Sequence, residues 1–211
     1  MPRLRQVSKS EASEDIQQVY QRLFGDRDPV KEPGTATGTP GNWWTVFAVV
    51  PEILEHAQRG FALFSSRRRK LSPQLRELGL MRTGFAAGSQ FVFSQHCKAA
   101  RSAGLSEDKV AAITSWSTAD VYSADERAVL AYTDAVVLQD GRVSDQTFAA
   151  LKQHLDDESI LELTYAVATY RLHATMCRAL RLEYDDVDER VIEIAAPAGQ
   201  QSADVMSQIS R

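Results

Sequence analysis

With 211 residues and 44% apolar side chains, the chain is long enough to bury a sizeable core, and one domain is the expectation. The formal net charge of −4 argues against a general nucleic-acid partner or an anionic membrane surface. No apolar stretch approaches the roughly 20 residues of a membrane-spanning helix, and no apolar run follows the basic N-terminus as it would in a signal peptide.

The cysteines and histidines give no pattern of a metal or disulfide site. Cys97 and Cys177 have neither CxxC nor metal-type spacing, and the four histidines are scattered along the chain. We therefore expect no metal and no cofactor, and a reducing cytoplasm is the simplest compartment.

The first third of the chain predicts helices that flank one long loop. Residues 10–24 have the pattern of an amphipathic helix that begins with acidic residues. Residues 25–41 are rich in Gly, Pro and Thr and predict a loop, and loops of this length are usually functional or mobile. A short helix is expected within 42–50, and Pro51 begins another that continues past Phe64.

The central stretch, 72–104, predicts a pair of helices. Ser72 is a good capping residue and Pro73 suits the first helical position, so the first helix should begin here. Gly88 separates the two helices and Gly104 ends the second one.

Capping signals predict four more helices in the second half. These helices should lie at 106–113, from Ser123 to Gly141, from Ser144 onward, and from Asp156 or Asp157 to about Leu182. No alternation typical of strands persists anywhere, so the fold class is all-α, with about eight or nine helices. We expect one domain over 1–195 and a polar, low-hydrophobicity tail over 196–211 that is disordered or docks on a partner subunit.

Three polar residues of the central stretch suggest proton transfer. His96 titrates near neutral pH, and a carboxylate such as Glu77 on the neighbouring helix could orient it and balance its charge. Ser89 lies on the same helical face as His96 and could bind substrate or act as a nucleophile. The alternatives are a histidine satisfied inside a helical core and a serine that caps a helix.

The same stretch resembles the carboxymuconolactone decarboxylase family, which includes the alkylhydroperoxidase D proteins. The similarity runs from Leu71 to Val137. It consists of Leu-Ser-Pro-x-Leu-Arg-Glu ending at Glu77, the aromatic approach Gln90-Phe91-Val92-Phe93 before His96, the segment Ala-x-x-x-Gly-Leu-Ser from Ala100, and the stretch from Tyr122 that follows. The resemblance implies an all-α multi-helix bundle that forms a homo-oligomer, either a trimer or a hexamer.

The peroxidase branch of this family has a Glu, a Cys twelve residues later, a second Cys three further on, and a His after four more. At these positions the chain has Glu77, Ser89, Val92 and His96. Disulfide-based peroxide reduction needs an attacking and a resolving thiol, so we expect this chemistry to be absent. A carboxylate that often stands at the position of Val92 in the decarboxylase branch is also missing.

These observations favour a cofactor-independent acid–base enzyme: a decarboxylase or a related lyase, isomerase or hydrolase acting on a small organic acid or lactone. His96 would be the general acid and base, Glu77 would orient it, and Ser89 would complete the catalytic set by binding substrate.

Four further residues are candidates for substrate binding: Trp43, Phe93, Tyr170 and His173. Core filling is a common reason for a tryptophan, and structural hydrogen bonds explain Tyr170 and His173 equally well.

Two other functions stay open at this level. One is a thiol peroxidase of the alkylhydroperoxidase type that uses Cys97, which would have to be an accessible thiol with a low pKa. The other is a non-catalytic, small-molecule-binding member of the fold in which Glu77 and His96 are buried structural partners.

Overall fold

The computed structural model of the chain describes residues 1–64, 66–186 and 193–196. Within these residues the secondary structure is helical throughout, so the all-α prediction is confirmed. The helices are α1 (Glu14–Phe24), α2 (Asn42–Phe47), α3 (Pro51–Phe64), α4 (Pro73–Ala86), α5 (Gln90–Ser102), α6 (Glu107–Ala112), α7 (Ala124–Leu138), α8 (Asp145–Lys152) and α9 (Asp157–Leu180), and a short 3₁₀ helix (Ile113–Thr118) follows α6.

The predicted capping residues begin several of these helices. The hydroxyl of Ser72 accepts a hydrogen bond from the Leu75 amide at 3.2 Å, and the Asp156 carboxylate accepts one from the Ser159 amide at 2.8 Å. Because these side chains satisfy amides that have no partner inside the helix, they fix where α4 and α9 begin. The last helix ends two residues earlier than predicted, since Arg181 adopts a left-handed conformation with φ of 54°.

Helices α4 and α5 pack tightly against each other at a glycine. A Cβ on Gly84 would lie 2.5 Å from the backbone nitrogen of Phe93 and 2.7 Å from its Cα. No side chain fits in that space, so Gly84 lets the two backbones approach closely. Helix α4 also packs against α7 and α9, which places it at the centre of the bundle.

An aromatic cluster fills the space between α1, α2, α3 and α9. Trp43 stacks on Phe47 with ring centroids 3.9 Å apart, and Phe61 stacks on Tyr170 at 5.7 Å. The segment before α1 joins this cluster, because the hydroxyl of the fully buried Tyr20 donates to the Val7 carbonyl at 2.9 Å. The candidate site described below lies at the edge of this cluster.

The predicted loop at 25–41 is held against α5 and against the segment that follows α9. The ammonium group of Lys98, from α5, donates to the Thr37 carbonyl at 2.9 Å. The hydroxyl of Tyr184 donates to the Gly38 carbonyl. These contacts give the loop a fixed position beside the two helices.

The predicted polar tail, 196–211, lies outside the described residues except for Ala196. A search of the described helices finds none that is long and apolar enough to cross a membrane.

Candidate active site

The site is built on a buried pair of side chains from α4 and α5. The Nδ1 atom of His96 lies 2.8 Å from Oε2 of Glu77, within hydrogen-bond distance. The second carboxylate oxygen of Glu77 accepts a hydrogen bond from Nε of Arg76 at 2.9 Å. Arg76 in turn donates to the Phe64 carbonyl at 2.7 Å, so the guanidinium is held in place by the end of α3.

The surroundings of Glu77 keep its carboxyl group ionised at neutral pH. Burial by itself raises the pKa of Glu77, but the hydrogen bonds and charges of His96 and Arg76 outweigh it and bring the pKa below its ordinary value. A carboxylate that accepts from Nδ1 of His96 fixes the orientation of the ring and leaves Nε2 for another partner. The pair therefore has the arrangement of a general base and its orienting acid.

His96 also lines a cavity of about 80 Å³ between the loop, α2, α3, α5 and α9. Aromatic residues form most of its wall: Trp43, Trp44, Phe61, Phe91 and Tyr170, with His96 and His173. The remaining lining residues are the loop residues Thr35, Thr37 and Thr39, and Val92, Gln95 and Ala99 of α5.

Two residues of the lining have buried polar atoms without a hydrogen-bond partner. They are Nδ1 of His173 and Nε2 of Gln95. Burial, together with smaller contributions from the nearby His96 and His56, lowers the pKa of His173 to about 4. The imidazole of His173 is therefore neutral at physiological pH and can act as a hydrogen-bonding group rather than as a cation.

Several residues predicted from the sequence come together here. His96, Trp43, Tyr170 and His173 all line the cavity, and Glu77 lies behind His96. The rings of His96 and Tyr170 make an edge-to-face contact, and their centroids are 4.3 Å apart. Five of the seven site residues named from the sequence therefore lie at a single location in the fold.

Ser89 is not part of this location, which corrects its assignment as a substrate-binding residue. Its hydroxyl accepts from the Val92 amide at 3.2 Å and donates to Oδ2 of Asp185 at 2.6 Å. The side chain is fully buried and does not line the cavity. Ser89 is the capping residue of α5, the alternative that its position after Gly88 also suggested.

Phe93 and Cys97 lie on the opposite side of α5 from the cavity, so the substrate-binding assignment of Phe93 is also corrected. Both residues pack in a core cluster with Leu78 and Met81 of α4. Cys97 has no exposed surface, and burial raises the pKa of its thiol. This is the opposite of the accessible, low-pKa thiol that the peroxidase hypothesis requires.

Sequence reasoning missed the polar part of the lining. The candidate residues taken from the sequence include neither Gln95 nor the threonines of the loop. The length and Thr content of the loop were a usable signal, because long loops in compact domains often carry function. Nothing in the sequence pattern shows that Gln95 faces a cavity rather than solvent.

Two buried carboxylates after α9 were also missed. Glu183 accepts from the amides of Gly41 and Trp43 at 2.9 and 2.6 Å, which ties it to the start of α2. Asp185 accepts from the Gln90 amide at 2.5 Å and from Ser89, at the start of α5. Burial raises the pKa of Glu183 to about 7. These side chains support the two helices that carry Trp43 and His96.

The described part of the chain has no group of three or more His, Cys, Asp or Glu side chains arranged to hold a metal ion.

Part of the chain matches a known protein family. The sequence model of the carboxymuconolactone decarboxylase family matches residues 51–135, the region that includes Glu77 and His96. The uncharacterised protein YnjA of Escherichia coli is 27% identical over 143 residues, which cover 67% of this chain and 76% of YnjA.

Two solved structures have similar folds. A peroxidase-related protein from Ralstonia eutropha with an alkylhydroperoxidase AhpD core superposes with a TM-score of 0.65 at 17% identity and covers 87% of this chain and 95% of its own. The debrominase Bmp8 in complex with 2,3,4-tribromopyrrole superposes with a TM-score of 0.67 at 18% identity and covers 86% of this chain and 92% of its own. At these identities the likeness establishes the fold alone.

Proposed function

Because residues 51–135 match the carboxymuconolactone decarboxylase family, we propose that the chain is a cofactor-independent acid–base enzyme acting on a small organic molecule. One observation carries the proposal: the Nδ1 atom of His96 lies 2.8 Å from the buried Glu77 carboxylate, and the same imidazole lines a cavity. The AhpD-like fold agrees with the resemblance inferred from the sequence.

In this proposal His96 exchanges protons with the substrate through Nε2, the ring nitrogen that Glu77 does not engage. In a decarboxylation, the bond to the carboxyl carbon breaks, carbon dioxide leaves, and the electron pair stays on the remaining carbon. Protonated His96 then delivers its proton to that carbon. Glu77 holds the ring and stabilises the imidazolium before the transfer. The same residues could serve a related lyase, isomerase or hydrolase, since each of these reactions needs a positioned proton donor and acceptor.

The test is solvent proton incorporation. A panel of small lactones, keto acids and β-keto acids is incubated with the protein in D₂O, and NMR detects carbon dioxide loss or deuterium at carbon. His96→Gln should lower turnover roughly 10²–10⁴-fold, the usual worth of a general acid–base group. Glu77→Gln should lower it less, because the base is still present but is poorly oriented.

His154→Gln is the matched control, because His154 is exposed and lies at the end of α8, away from the cavity. It should turn over substrate like the wild type. Equal turnover by the wild type and by His96→Gln would refute the proposed role, as would the absence of any exchange across the panel.

The thiol-peroxidase alternative receives no support from the position of Cys97. The largely apolar cavity also fits a non-catalytic binding protein, which would bind a ligand without exchanging its protons. The same panel separates the two cases, because a binder would protect or shift cavity resonances without deuterium appearing in the ligand.

We also propose that the protein is a homo-oligomer, as the resemblance implied. Three apolar side chains on one face of α9 support this: Leu161 is 70% exposed, Tyr165 48% and Leu172 55%. Their spacing of four and seven residues places them on the same side of the helix. Light scattering should give a mass above 23.4 kDa, the mass of one chain, and Leu161→Glu should lower it.

A further inference from the structure

Much of the cavity wall consists of aromatic rings that contact one another. The rings of Phe61 and His173 have centroids 4.7 Å apart, and those of Trp43 and His173 are 5.9 Å apart. Tyr170 adds a further ring beside His96. Aromatic faces on several sides of a narrow space make favourable contacts with a planar ring and poor contacts with a branched aliphatic molecule.

The size of the space limits the ligand to one ring. One water molecule needs about 10–15 Å³ of such volume, so a cavity of about 80 Å³ holds roughly six groups of that size. This corresponds to a single five- or six-membered ring with a small substituent.

The lining has no fixed countercharge for an ionised ligand. Among the described residues, no Lys, Arg, Asp or Glu side chain lines the cavity. The nearby ammonium of Lys98 donates to the Thr37 carbonyl, and the Arg76 guanidinium is bound to Glu77 and Phe64. His96 is already paired with the Glu77 carboxylate. A carboxylate brought into this apolar space would lose its hydration without gaining a new cationic partner.

Two polar atoms of the lining lack partners. Nε2 of Gln95 is a donor, and it requires an acceptor oxygen or nitrogen. Nδ1 of His173 belongs to an imidazole that is only 6% exposed, and it can donate or accept according to its tautomer. A ligand that carries a carbonyl or hydroxyl oxygen on its ring would satisfy Gln95 and could also reach His173.

We propose that the cavity binds an uncharged, single-ring molecule bearing a carbonyl or hydroxyl oxygen, with Gln95 and His173 as the residues that determine specificity. This inference rests on the proposed function, because it names the substrate class of the same site. Among the reactions of the proposed enzyme, it favours proton transfer in neutral compounds such as lactones and cyclic or aromatic carbonyl compounds over the decarboxylation of an ionised acid.

The experiment compares three probes of similar shape with the full chain at pH 7.5. Benzamide is neutral and has an acceptor oxygen, benzoate has the same outline with a negative charge, and α-methylstyrene lacks the oxygen. Saturation-transfer NMR and calorimetry give the dissociation constants. Benzamide should bind at least tenfold more tightly than benzoate and more tightly than α-methylstyrene.

Variants then assign the selectivity to the lining. Gln95→Leu and His173→Phe should each weaken benzamide binding several-fold and leave α-methylstyrene binding unchanged. Gln153→Leu is the matched control, because Gln153 is exposed at the end of α8, and it should behave like the wild type.

Benzoate binding as tightly as benzamide would overturn the proposal, and so would failure of all three probes to bind. The comparison among ligands needs only the wild type, so it holds even if a variant does not fold. Binding is measured without turnover: a selective cavity in a protein that exchanges no protons would refute the proposed enzyme and leave the ligand class standing.

Discussion

Two sides of helix α5 differ sharply, although their residues are neighbours in sequence. On one side, Gln95 and His96 line the cavity. On the other side, Phe93 and Cys97 pack against α4 in a core cluster. The first side has unpartnered polar atoms and a carboxylate-bound imidazole, whereas the second is apolar and closed.

This difference explains why His96 can contact a ligand whereas Cys97 cannot. Adjacent helical residues point about 100° apart. His96 therefore reaches the cavity, while Cys97 is turned into a core with no exposed surface and a raised thiol pKa. The chemistry of α5 is confined to one side, and the other side holds the helix in position.

On the cavity side, the largest expected effect is a pH dependence of stability caused by His173. Its pKa is about 4 in the folded protein and about 6.5 when unfolded, so the unfolded state binds the extra proton between these values. The stabilisation is therefore complete above pH 6.5 and is lost as the pH falls. By pH 4 the loss should approach about 3 kcal/mol. Urea unfolding of the wild type and His173→Gln between pH 4 and 7.5 measures the difference.

The exposed His154 gives the control for this titration. His154→Gln should follow the wild-type pH profile, whereas His173→Gln should lose less free energy of unfolding on acidification. If the free energy of unfolding varied with pH in the same way for the wild type and His173→Gln, the imidazole of His173 would be more hydrated than the lining of the cavity indicates.

On the closed side, Gly84→Ala should cost about 2–3 kcal/mol. The new methyl group would meet the backbone of Phe93 at 2.5 Å, so one helix must shift. Gly60→Ala is the matched control: it lies inside α3 with no atom within 4 Å of the added Cβ, and should stabilise the protein by about 0.5–1 kcal/mol. Equal stabilities in chemical denaturation would contradict the close contact of α4 and α5.

Cys97→Ser tests whether the closed side is dry. A hydroxyl buried without a partner should cost about 2 kcal/mol, while turnover per folded molecule stays at the wild-type level. Native-state thiol labelling should proceed only as fast as the chain unfolds. Rapid labelling of Cys97 in the folded protein would reopen the peroxidase hypothesis.

Ser89→Ala is expected to have the smallest effect, about 1 kcal/mol, from the loss of the cap of α5. Ser144→Ala removes a comparable cap from α8, where the hydroxyl accepts from the Thr147 amide at 3.1 Å. The Ser89 variant should be the less stable of the two, because it also leaves the buried Asp185 without its hydroxyl donor. Thermal unfolding gives the comparison, and a loss of turnover in folded Ser89→Ala would return this residue to the catalytic set.

Much of the fold could be predicted because helix signals are local. Capping residues such as Ser72 and Asp156 act within one turn, so their effect is visible in a short window of sequence. The Glu77–His96 pair could be predicted for a different reason: its spacing matches that of a Glu and a His in the family that the sequence resembles.

The rest of the site depends on distant contacts. The spacing that grouped Ser89 with His96 could not reveal Asp185, which lies 96 residues away and binds the serine hydroxyl. Likewise, the periodicity of α5 could not show that the loop at 25–41 and α9 cover the side that carries Gln95. These are properties of the packed molecule, since each requires two segments that no local pattern connects.

The position of Glu183 and Asp185 has a consequence for the order in which the site can form during synthesis. Glu183 binds the start of α2 from 140 residues further along the chain, and Asp185 binds the start of α5 from 95 residues further along. A nascent chain that has produced α2 through α8 lacks both carboxylates, and it also lacks Tyr170 and His173. The cavity is therefore completed only after α9 and the segment behind it have emerged, and not while the helices that form its other walls are being made.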